Sequence, residues 1–326
     1  MSSRRIAPKG LAAGFLFVIC LMLAGIANAP RAFADAFTSA RAPFGLTVDG
    51  VRIPFNLMAI FALPGGRLVI ETGERARIEA ETGKVITISP QRFGWEVPAT
   101  TGPHAVRVVG RKGNIDLTVI VMRSMDEVRD GRIDGYMIGE YPEKPYKGLA
   151  AYERPAGLIE VTPEIADLPV SPHFRLGQFL CKQQSDWPKF MVLRTELLIK
   201  LERVLEEVNR RGWRTGSFHI MSGYRTPYYN RTIGNGENSR HVYGGAADIF
   251  IDVKPKDGVM DDIDRDGRIT KKDALALYRL VESIVSDEPE TWMPGGLGAY
   301  GATRSHGPFV HIDTRGYVAR WGVAPL

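Results

Sequence analysis

Short apolar runs, separated by turn residues, fill the chain between residues 37 and 121. Turn signals such as Pro64-Gly65-Gly66 and Lys112-Gly113-Asn114 lie between the runs. Evenly spaced short strands of this kind are typical of a small all-β sandwich or barrel. Examples of the predicted strands are Leu46–Val48, Arg67–Ile70, Lys84–Ile88, Ala105–Val109 and Ile115–Val121. The pattern therefore predicts an all-β domain over residues 35–127, in which His104 is the one histidine and no catalytic cluster is found.

The pattern changes after residue 127. Residues 128–171 are rich in Gly, Pro and Tyr and have little periodicity, which predicts a connecting segment. The remainder, residues 172–326, reads as mixed α/β. Apolar residues recur at helical spacing over Lys189–Arg211, and Gly212 lies where a helix C-cap is expected. The other predicted elements are a helix over Asp273–Val285 and strands over Phe218–Met221, Ala246–Val253 and Pro308–Thr314.

The first 34 residues have the three-part layout of a secretory signal peptide. Met1–Gly10 is cationic, Leu11–Ala27 is an unbroken apolar run, and a small-residue cleavage site ends at Ala34. We therefore expect export to the periplasm or cell envelope, with cleavage after Ala34. An uncleaved anchor is the alternative, because 17 apolar residues are at the lower limit for crossing about 30 Å of hydrocarbon.

The formal net charge of +5 comes mostly from this signal segment. Residues 1–34 hold four of the 42 Lys and Arg residues and no acid, so their removal leaves a net charge of +1. The rest of the chain has no basic cluster with interleaved aromatic residues, which argues against a nucleic-acid partner. It also has Cys181 as its one cysteine, which excludes an internal disulfide.

Three of the six histidines lie in two short stretches, SRHVYGGAAD (residues 239–248) and SHGPFVHID (residues 305–313). A catalytic zinc site needs three protein ligands and an open position, and His241, Asp248 and His311 would supply the ligands. The small residues 244–246 would let the backbone pass close to the metal. In the second stretch, the alternation of a strand places His311 and Asp313 on one face, so we expect both to face one cavity.

The spacing S-x-H-x-x-G-x-A-x-D resembles the signature of the D-alanyl-D-alanine metallopeptidase family, which belongs to the lysostaphin/D-Ala-D-Ala-peptidase/hedgehog zinc superfamily. The matching residues are Ser239, His241, Gly244, Ala246 and Asp248. Val310-His311-Ile312-Asp313 is similar to the strand that bears the last zinc ligand of that family. Ser222-Gly223-Tyr224-Arg225 resembles its loop in which Arg holds a substrate carboxylate or orients the scissile carbonyl.

The resemblance covers about residues 172–326. It implies an α+β catalytic domain with a small antiparallel sheet and helices, and Zn²⁺ as the catalytic cofactor. It further implies that the partners are peptidoglycan stem peptides, which the enzyme would cleave as a D,D-carboxypeptidase or an endopeptidase. A membrane contact is expected only through an uncleaved signal, and the sequence leaves the oligomeric state open.

The chain departs from the family at the general base. Many members carry Glu or Asp three residues before the last zinc ligand, where this chain has Pro308. His306 is the nearest substitute, similar to the histidines of penicillin-insensitive murein endopeptidases, and Asp313 is the alternative. The implied mechanism is metal-assisted amide hydrolysis, in which His306 or Asp313 takes a proton from water and delivers it to the leaving amine.

The predicted substrate-binding residues are Arg225, Ser239 and Tyr224. The planar guanidinium of Arg225 suits a substrate carboxylate, with a structural ion pair as the alternative. Pro308 at the usual place of the base also leaves open a second class of function. This alternative is a non-catalytic, zinc-bearing cell-wall binding protein.

Residues 262–273 follow the pattern of an EF-hand calcium loop. Carboxylates stand at its positions 1, 3, 5 and 12, and Gly267 stands at position 6. The predicted calcium ligands are Asp262, Asp264, Asp266, the carbonyl of Arg268, and Asp273. We expect one structural Ca²⁺ loop inserted in the catalytic domain; an acidic turn that caps the following helix is the alternative.

Overall fold

Strands dominate the computed structural model, which describes residues 37–287 and 292–323. The strands are β1 (Leu46–Val48), β2 (Val51–Arg52), β3 (Leu57–Ala62), β4 (Arg67–Thr72), β5 (Ala76–Ala80), β6 (Lys84–Ser89), β7 (Arg92–Glu96), β8 (Gly102–Gly110), β9 (Asn114–Val121), β10 (Arg123–Ser124), β11 (Arg132–Ile133), β12 (Tyr136–Met137), β13 (Gly157–Val161), β14 (Pro169–Ser171), β15 (Phe174–Arg175), β16 (Lys189–Met191), β17 (His219–Ser222), β18 (Ala246–Phe250), β19 (Gly296–Tyr300), β20 (Phe309–Asp313) and β21 (Ala319–Trp321). The α-helices are α1 (Thr195–Arg210), α2 (Pro227–Thr232) and α3 (Lys271–Asp287). The signal peptide predicted over residues 1–34 lies outside the described residues and stays a prediction.

Two sheets form the first part of the chain. One has the order β2-β1-β4-β7-β6 and is antiparallel, and the other has the order β3-β9-β8-β5 with β3 and β9 parallel. In β4 the side chains of Leu68 and Ile70 are buried while Arg67 is exposed, as expected of a strand that covers a core. The five predicted strands lie within β1, β4, β6, β8 and β9. The sequence pattern missed β3, because its apolar run LMAIFA does not alternate.

The apolar core continues from these sheets into the rest of the chain. One cluster of buried side chains includes Trp95 in β7, Phe190 in β16 and Leu201 in α1. The described residues between 37 and 323 accordingly pack as one unit. The boundary of a separate β domain at residue 127 therefore stays a prediction.

The segment 128–171, for which the sequence indicated a connecting role, has more structure than its pattern suggested. It contains the strand pair β11–β12, and β13 pairs with both β10 and β16. Ile138 and Leu158 are fully buried in the main core. Strands of two to five residues leave no periodicity in a sequence, which explains the difference.

The last sheet has the order β17-β18-β20-β19-β21, antiparallel except for the pair β19–β21. Helix α3 packs on β19 and β20, and α1 packs on α3, β3 and β14. The structure is thus mixed α and β, with mostly strands. Helix α1 begins later than the predicted Lys189, because Lys189–Met191 pair with β13 as a strand. In the part of the chain that the structure describes, no helix is long and apolar enough to cross a membrane.

Candidate metal centre

The pairing of β18 with β20 places Asp248 directly opposite His311. Opposed residues on neighbouring antiparallel strands have Cβ atoms about 4.5–5.5 Å apart, so their side chains can meet. Asp248 Oδ1 lies 2.8 Å from His311 Nδ1. The predicted strands over 246–253 and 308–314 thus bring together two of the three predicted zinc ligands.

His241 reaches the same point from the 3₁₀ turn Arg240–Tyr243 that precedes β18. Its Nε2 lies 3.2 Å from His311 Nδ1 and 3.3 Å from Asp248 Oδ1. The turn ends at Gly244 with φ of 64°, and a Cβ there would collide with the carbonyl of Val192. Glycine is therefore required for the left-handed backbone and for packing, and not for close approach to a metal as the sequence indicated.

The hydrogen bonds of the two imidazoles direct one nitrogen of each ring at the same point. His241 Nδ1 donates to the carbonyl oxygen of Gly223 at 2.7 Å, which leaves Nε2 as a lone pair in the neutral ring. His311 Nε2 donates to Asp313 Oδ2 at 3.0 Å, so Nδ1 is the nitrogen of this ring that would bind a metal after loss of its proton. Burial would lower the pKa of His311, but Asp248 and Asp313 outweigh it and raise that pKa to about 9. One nitrogen of each ring and the oxygen Asp248 Oδ1 therefore face one another at 2.8–3.3 Å. This donor set fits a metal ion, and the three residues form a group that could hold one.

Burial and charge set the protonation of the group. His241, Asp248 and His311 are 2%, 3% and 8% exposed. Burial lowers the pKa of His241, although the nearby charge of Asp248 acts to raise it. Burial would raise the pKa of Asp248, but His241 and His311 outweigh it and hold that pKa well below its usual range. Asp248 therefore stays ionised, as a metal ligand must.

A second layer of charged groups holds the ligands. Arg225 Nη2 donates to Asp248 Oδ2 at 2.8 Å, and its Nε donates to Ser222 Oγ at 2.9 Å. The structure thus uses Arg225 as an ion-pair partner of Asp248. Its predicted contact with a substrate carboxylate stays a prediction.

Asp313 does not face a cavity, contrary to the expectation from strand alternation. Its side chain is fully buried, and Arg315 and the amide of Gly296 bind both carboxylate oxygens together with His311. The buried amine of Lys200 donates to the Asp313 carbonyl at 2.7 Å. Alternation fixes only the face of a strand, and on that face Arg315 and the amide of Gly296 close off the carboxylate. The carboxylate lies behind the ring of His311, on the side away from Asp248, which is wrong for a general base and suited to orienting His311.

His306 lies in the loop between β19 and β20, outside the three-residue group. Its Nδ1 donates to the Gly307 carbonyl at 2.8 Å, and its ring packs edge-on against Phe309 at 5.0 Å between centroids. Phe309 is on the same face of β20 as His311. His306 is therefore a neighbour of the centre and not one of its ligand donors.

The two other predicted substrate-binding residues differ in exposure. Ser239 is half-buried at the start of the turn that carries His241. Tyr224 is 2% exposed, and its hydroxyl is 3.0 Å from that of Tyr141. Tyr224 thus presents no surface to a substrate, because residues of the predicted connecting segment cover it.

Sequence reasoning missed several residues around the centre. The ring of Trp321 lies 5.2 Å from that of His311, and its Nε1 donates to Tyr300 at 2.7 Å. Arg315 binds Asp313, as described above. No local motif marks these residues; β21 reaches the centre only through its parallel pairing with β19.

The acidic loop is a second group of metal-ligand type. One carboxylate oxygen from each of Asp262, Asp264 and Asp273 lies within 4.8 Å of the other two. Gly267 has φ of 82°. Asp266 forms an ion pair with Lys272 at 3.1 Å. Arg268 lines a surface depression beside the loop.

The alternative function of this loop, helix capping, also has support. Asp273 Oδ2 accepts the amide of Thr270 at 2.7 Å, directly before α3. Its Oδ1 accepts the amide of Ile263 at 2.8 Å. The geometry is compatible with both readings, so calcium stays a prediction.

Comparison with known proteins bears on the same part of the chain. A family model described as Peptidase M15 matches residues 172–278. The match includes His241 and Asp248 and ends before β20, so the place of His311 rests on the geometry. The curated proteins include no match to the chain. The motifs had indicated this family, and the match supports it: residues 172–278 are similar to the peptidase M15 family.

Proposed function

We propose that the chain is an exported zinc peptidase of the cell envelope. Its substrates would be peptidoglycan stem peptides, cleaved as by a D,D-carboxypeptidase or an endopeptidase. The observation that carries the proposal is the convergence of His241 Nε2, Asp248 Oδ1 and His311 Nδ1 at 2.8–3.3 Å. The similarity of residues 172–278 to the peptidase M15 family supports zinc as the ion and peptidoglycan peptides as the substrate.

The residues of the proposed site have two roles, binding of the metal ion and orientation of its ligands. His241, Asp248 and His311 would hold the ion, which supplies polarisation of a carbonyl and acidification of water. Arg225 fixes Asp248, and Asp313 fixes the ring of His311 through Nε2. Such outer partners set the tautomer and the direction of a ligand ring.

His306 is the general base of this proposal. Because its Nδ1 donates to the Gly307 carbonyl, the lone pair that can accept a proton is on Nε2. The loop that carries His306 leads directly into β20, and loops can close on a substrate. Trp321 and Tyr300 lie beside His311 and would form one wall of the substrate site.

Cleavage of muropeptides tests the proposal. The purified chain, loaded with Zn²⁺, is expected to shorten muropeptides by one peptide-bond cleavage, detected by mass spectrometry. His306→Ala is expected to lower kcat about 10²–10⁴-fold, the usual contribution of a general base, with zinc content unchanged. His104→Ala is the matched control, because His104 lies in β8 and bonds to Thr82 and the Thr100 carbonyl.

The contrary outcome identifies the second candidate function. Pro308, at the usual place of the base, favours a binding protein that keeps zinc without hydrolysis. Zinc-loaded protein that binds muropeptides without cleaving them, and binds them equally after His306→Ala, would contradict the peptidase proposal.

We also propose that the loop 262–273 binds one structural Ca²⁺. Calcium is expected to raise the Tm of the zinc-loaded chain, since a ligand at 100 times its Kd adds about 2.7 kcal/mol to the free energy of unfolding. Asp264→Asn should abolish this rise, whereas Asp257→Asn, in the neighbouring turn, should retain it. A Tm that does not respond to Ca²⁺ would leave helix capping as the function of the loop.

A further inference from the structure

A segment outside the family match covers the turn that carries His241. Residues 141–152, here called the tyrosine strap, lie between β12 and β13 in the region that the sequence indicated as a connection. The strap contains Tyr141, Tyr146 and Tyr152. It contacts both segments that set the position of His241: the turn Arg240–Tyr243, and the loop whose Gly223 carbonyl binds His241 Nδ1.

Tyr141 joins these two segments by hydrogen bonds. Its hydroxyl donates to the carbonyl of Val242 at 3.1 Å. The hydroxyl of Tyr224 lies 3.0 Å away and is the donor of that pair, because Tyr141 has a single proton. Val242 follows His241 in the chain, and Tyr224 follows Gly223. One side chain therefore connects the residues next to His241 and next to its hydrogen-bond acceptor.

The other end of the strap holds the same turn. The carbonyl of Ala151 accepts hydrogen bonds from Arg240 Nη1 and from Arg194 Nη2. Arg194 Nε in turn donates to the carbonyl of Tyr243 at 3.0 Å. The ring of Tyr152 packs edge-on against Tyr243 at 5.4 Å and lies 4.5 Å from the guanidinium of Arg240.

These contacts form a small core of their own. Tyr152, Val242 and Tyr243 are buried together in a cluster that is separate from the main core. Arg240 is 2% exposed there, and neither its Nε nor its Nη2 has a hydrogen-bond partner. Burial of a guanidinium is unfavourable unless it is hydrogen-bonded or otherwise paired. The strap supplies a hydrogen-bond acceptor, the Ala151 carbonyl, and the ring of Tyr152 beside the cation.

We infer that the tyrosine strap positions His241 for metal binding, with Tyr141 as a positioning residue. In the turn Arg240–Tyr243, every residue other than His241 contacts the strap or Arg194. The strap thus fixes the backbone around His241 and leaves its ring directed at Asp248 and His311. The inference rests on the proposed function only for the choice of zinc as the ion.

The test is the zinc affinity of Tyr141→Phe in the full chain, measured by competition with a chromophoric chelator. Loss of an outer partner that bonds to a ligand usually weakens metal binding about 10–100-fold; because Tyr141 bonds to the neighbours of His241 and not to its ring, we expect the Kd for Zn²⁺ to rise by about 10-fold, the lower end of that range. Tyr146→Phe is the matched control, because it removes a hydroxyl from the same strap at a side chain that is 37% exposed. Its Kd should equal that of the wild type, and equal values for both variants would overturn the inference.

Hydrogen exchange in the zinc-free wild type gives a measurement that needs no variant. The amides of Tyr152, Val242 and Gly244 bond to carbonyls within their own turns. If the strap and the His241 turn open together, these amides share one opening free energy, obtained after correction for their intrinsic exchange rates. Clearly different opening free energies would contradict the inference. Neither result depends on cleavage of muropeptides, so the inference and the peptidase proposal can fail separately.

Discussion

Asp248→Asn is expected to abolish tight zinc binding and, with it, cleavage of muropeptides. The substitution keeps the size of the side chain but removes the charged oxygen 2.8 Å from His311 Nδ1 and 3.3 Å from His241 Nε2. Loss of an outer partner alone lowers metal affinity about 10–100-fold. Loss of a direct ligand should therefore raise the Kd for Zn²⁺ by more than about 100-fold. Competition with a chelator of known affinity measures this Kd.

Asp252→Asn is the matched control for this prediction. Asp252 is a second buried carboxylate that contacts a histidine, His219, at 3.2 Å, and it lies just beyond β18. Its loss should lower the free energy of unfolding by about 1–3 kcal/mol, because buried hydrogen bonds are left unpaired. Zinc affinity should equal that of the wild type. Equal zinc affinities in all three proteins would show that Asp248 is not a ligand.

Asp313→Asn should have the largest effect on stability of the substitutions considered. Asp313 is fully buried and forms an ion pair with Arg315 while it holds His311 Nε2. Removal of one partner from a buried ion pair costs about 3–5 kcal/mol, because the other charge is left uncompensated. The Kd for zinc should also rise about 10–100-fold, because the ring of His311 is no longer held in place by a carboxylate at Nε2. Chemical denaturation and zinc titration of the same sample measure both effects.

An exposed pair gives the comparison for that stability effect. Arg107 and Asp116 contact at 2.6 Å on neighbouring strands, with about two-fifths of each side chain exposed. Asp116→Asn should lower the free energy of unfolding by no more than about 1 kcal/mol, as is usual for surface ion pairs. If Asp313→Asn is equally mild and binds zinc normally, Asp313 does not support His311.

The three donors of the centre could be predicted from sequence because their geometry is local. His241 and Asp248 are separated by one short turn, and the alternation of β20 fixes the face of His311. The residue types also limit the chemistry, since imidazole nitrogen and carboxylate oxygen are ligands that zinc takes in proteins. Once β18 and β20 pair in the register that places Asp248 opposite His311, the three donors meet.

The support of the centre could not be predicted, because it depends on contacts between distant parts of the chain. Asp313 shares the face of His311, which predicts an accessible carboxylate, but Arg315 and the amide of Gly296 bind it in the interior. Tyr224 lies in a recognisable loop, but Tyr141, 83 residues earlier, encloses it. Short aromatic segments without periodicity, such as the strap, give no signal of where they will pack.

Among the helices and strands, too, local patterns were predictable and long-range pairings were not. Alternating strands such as β4 were predicted because one face meets the core. The start of α1 was not, because the apolar run FMVL fits a buried strand as well as a helix. Its pairing with β13 decided the outcome, and that pairing is not visible in the local sequence.

The metal content of the full chain, purified without chelators, decides whether His241, Asp248 and His311 form a zinc site. Elemental analysis by mass spectrometry should find one zinc ion per chain, and His241→Ala should lose it while calcium content stays unchanged. Absence of zinc from the wild-type protein, or its retention by His241→Ala, would contradict the assignment of His241, Asp248 and His311 as the zinc site.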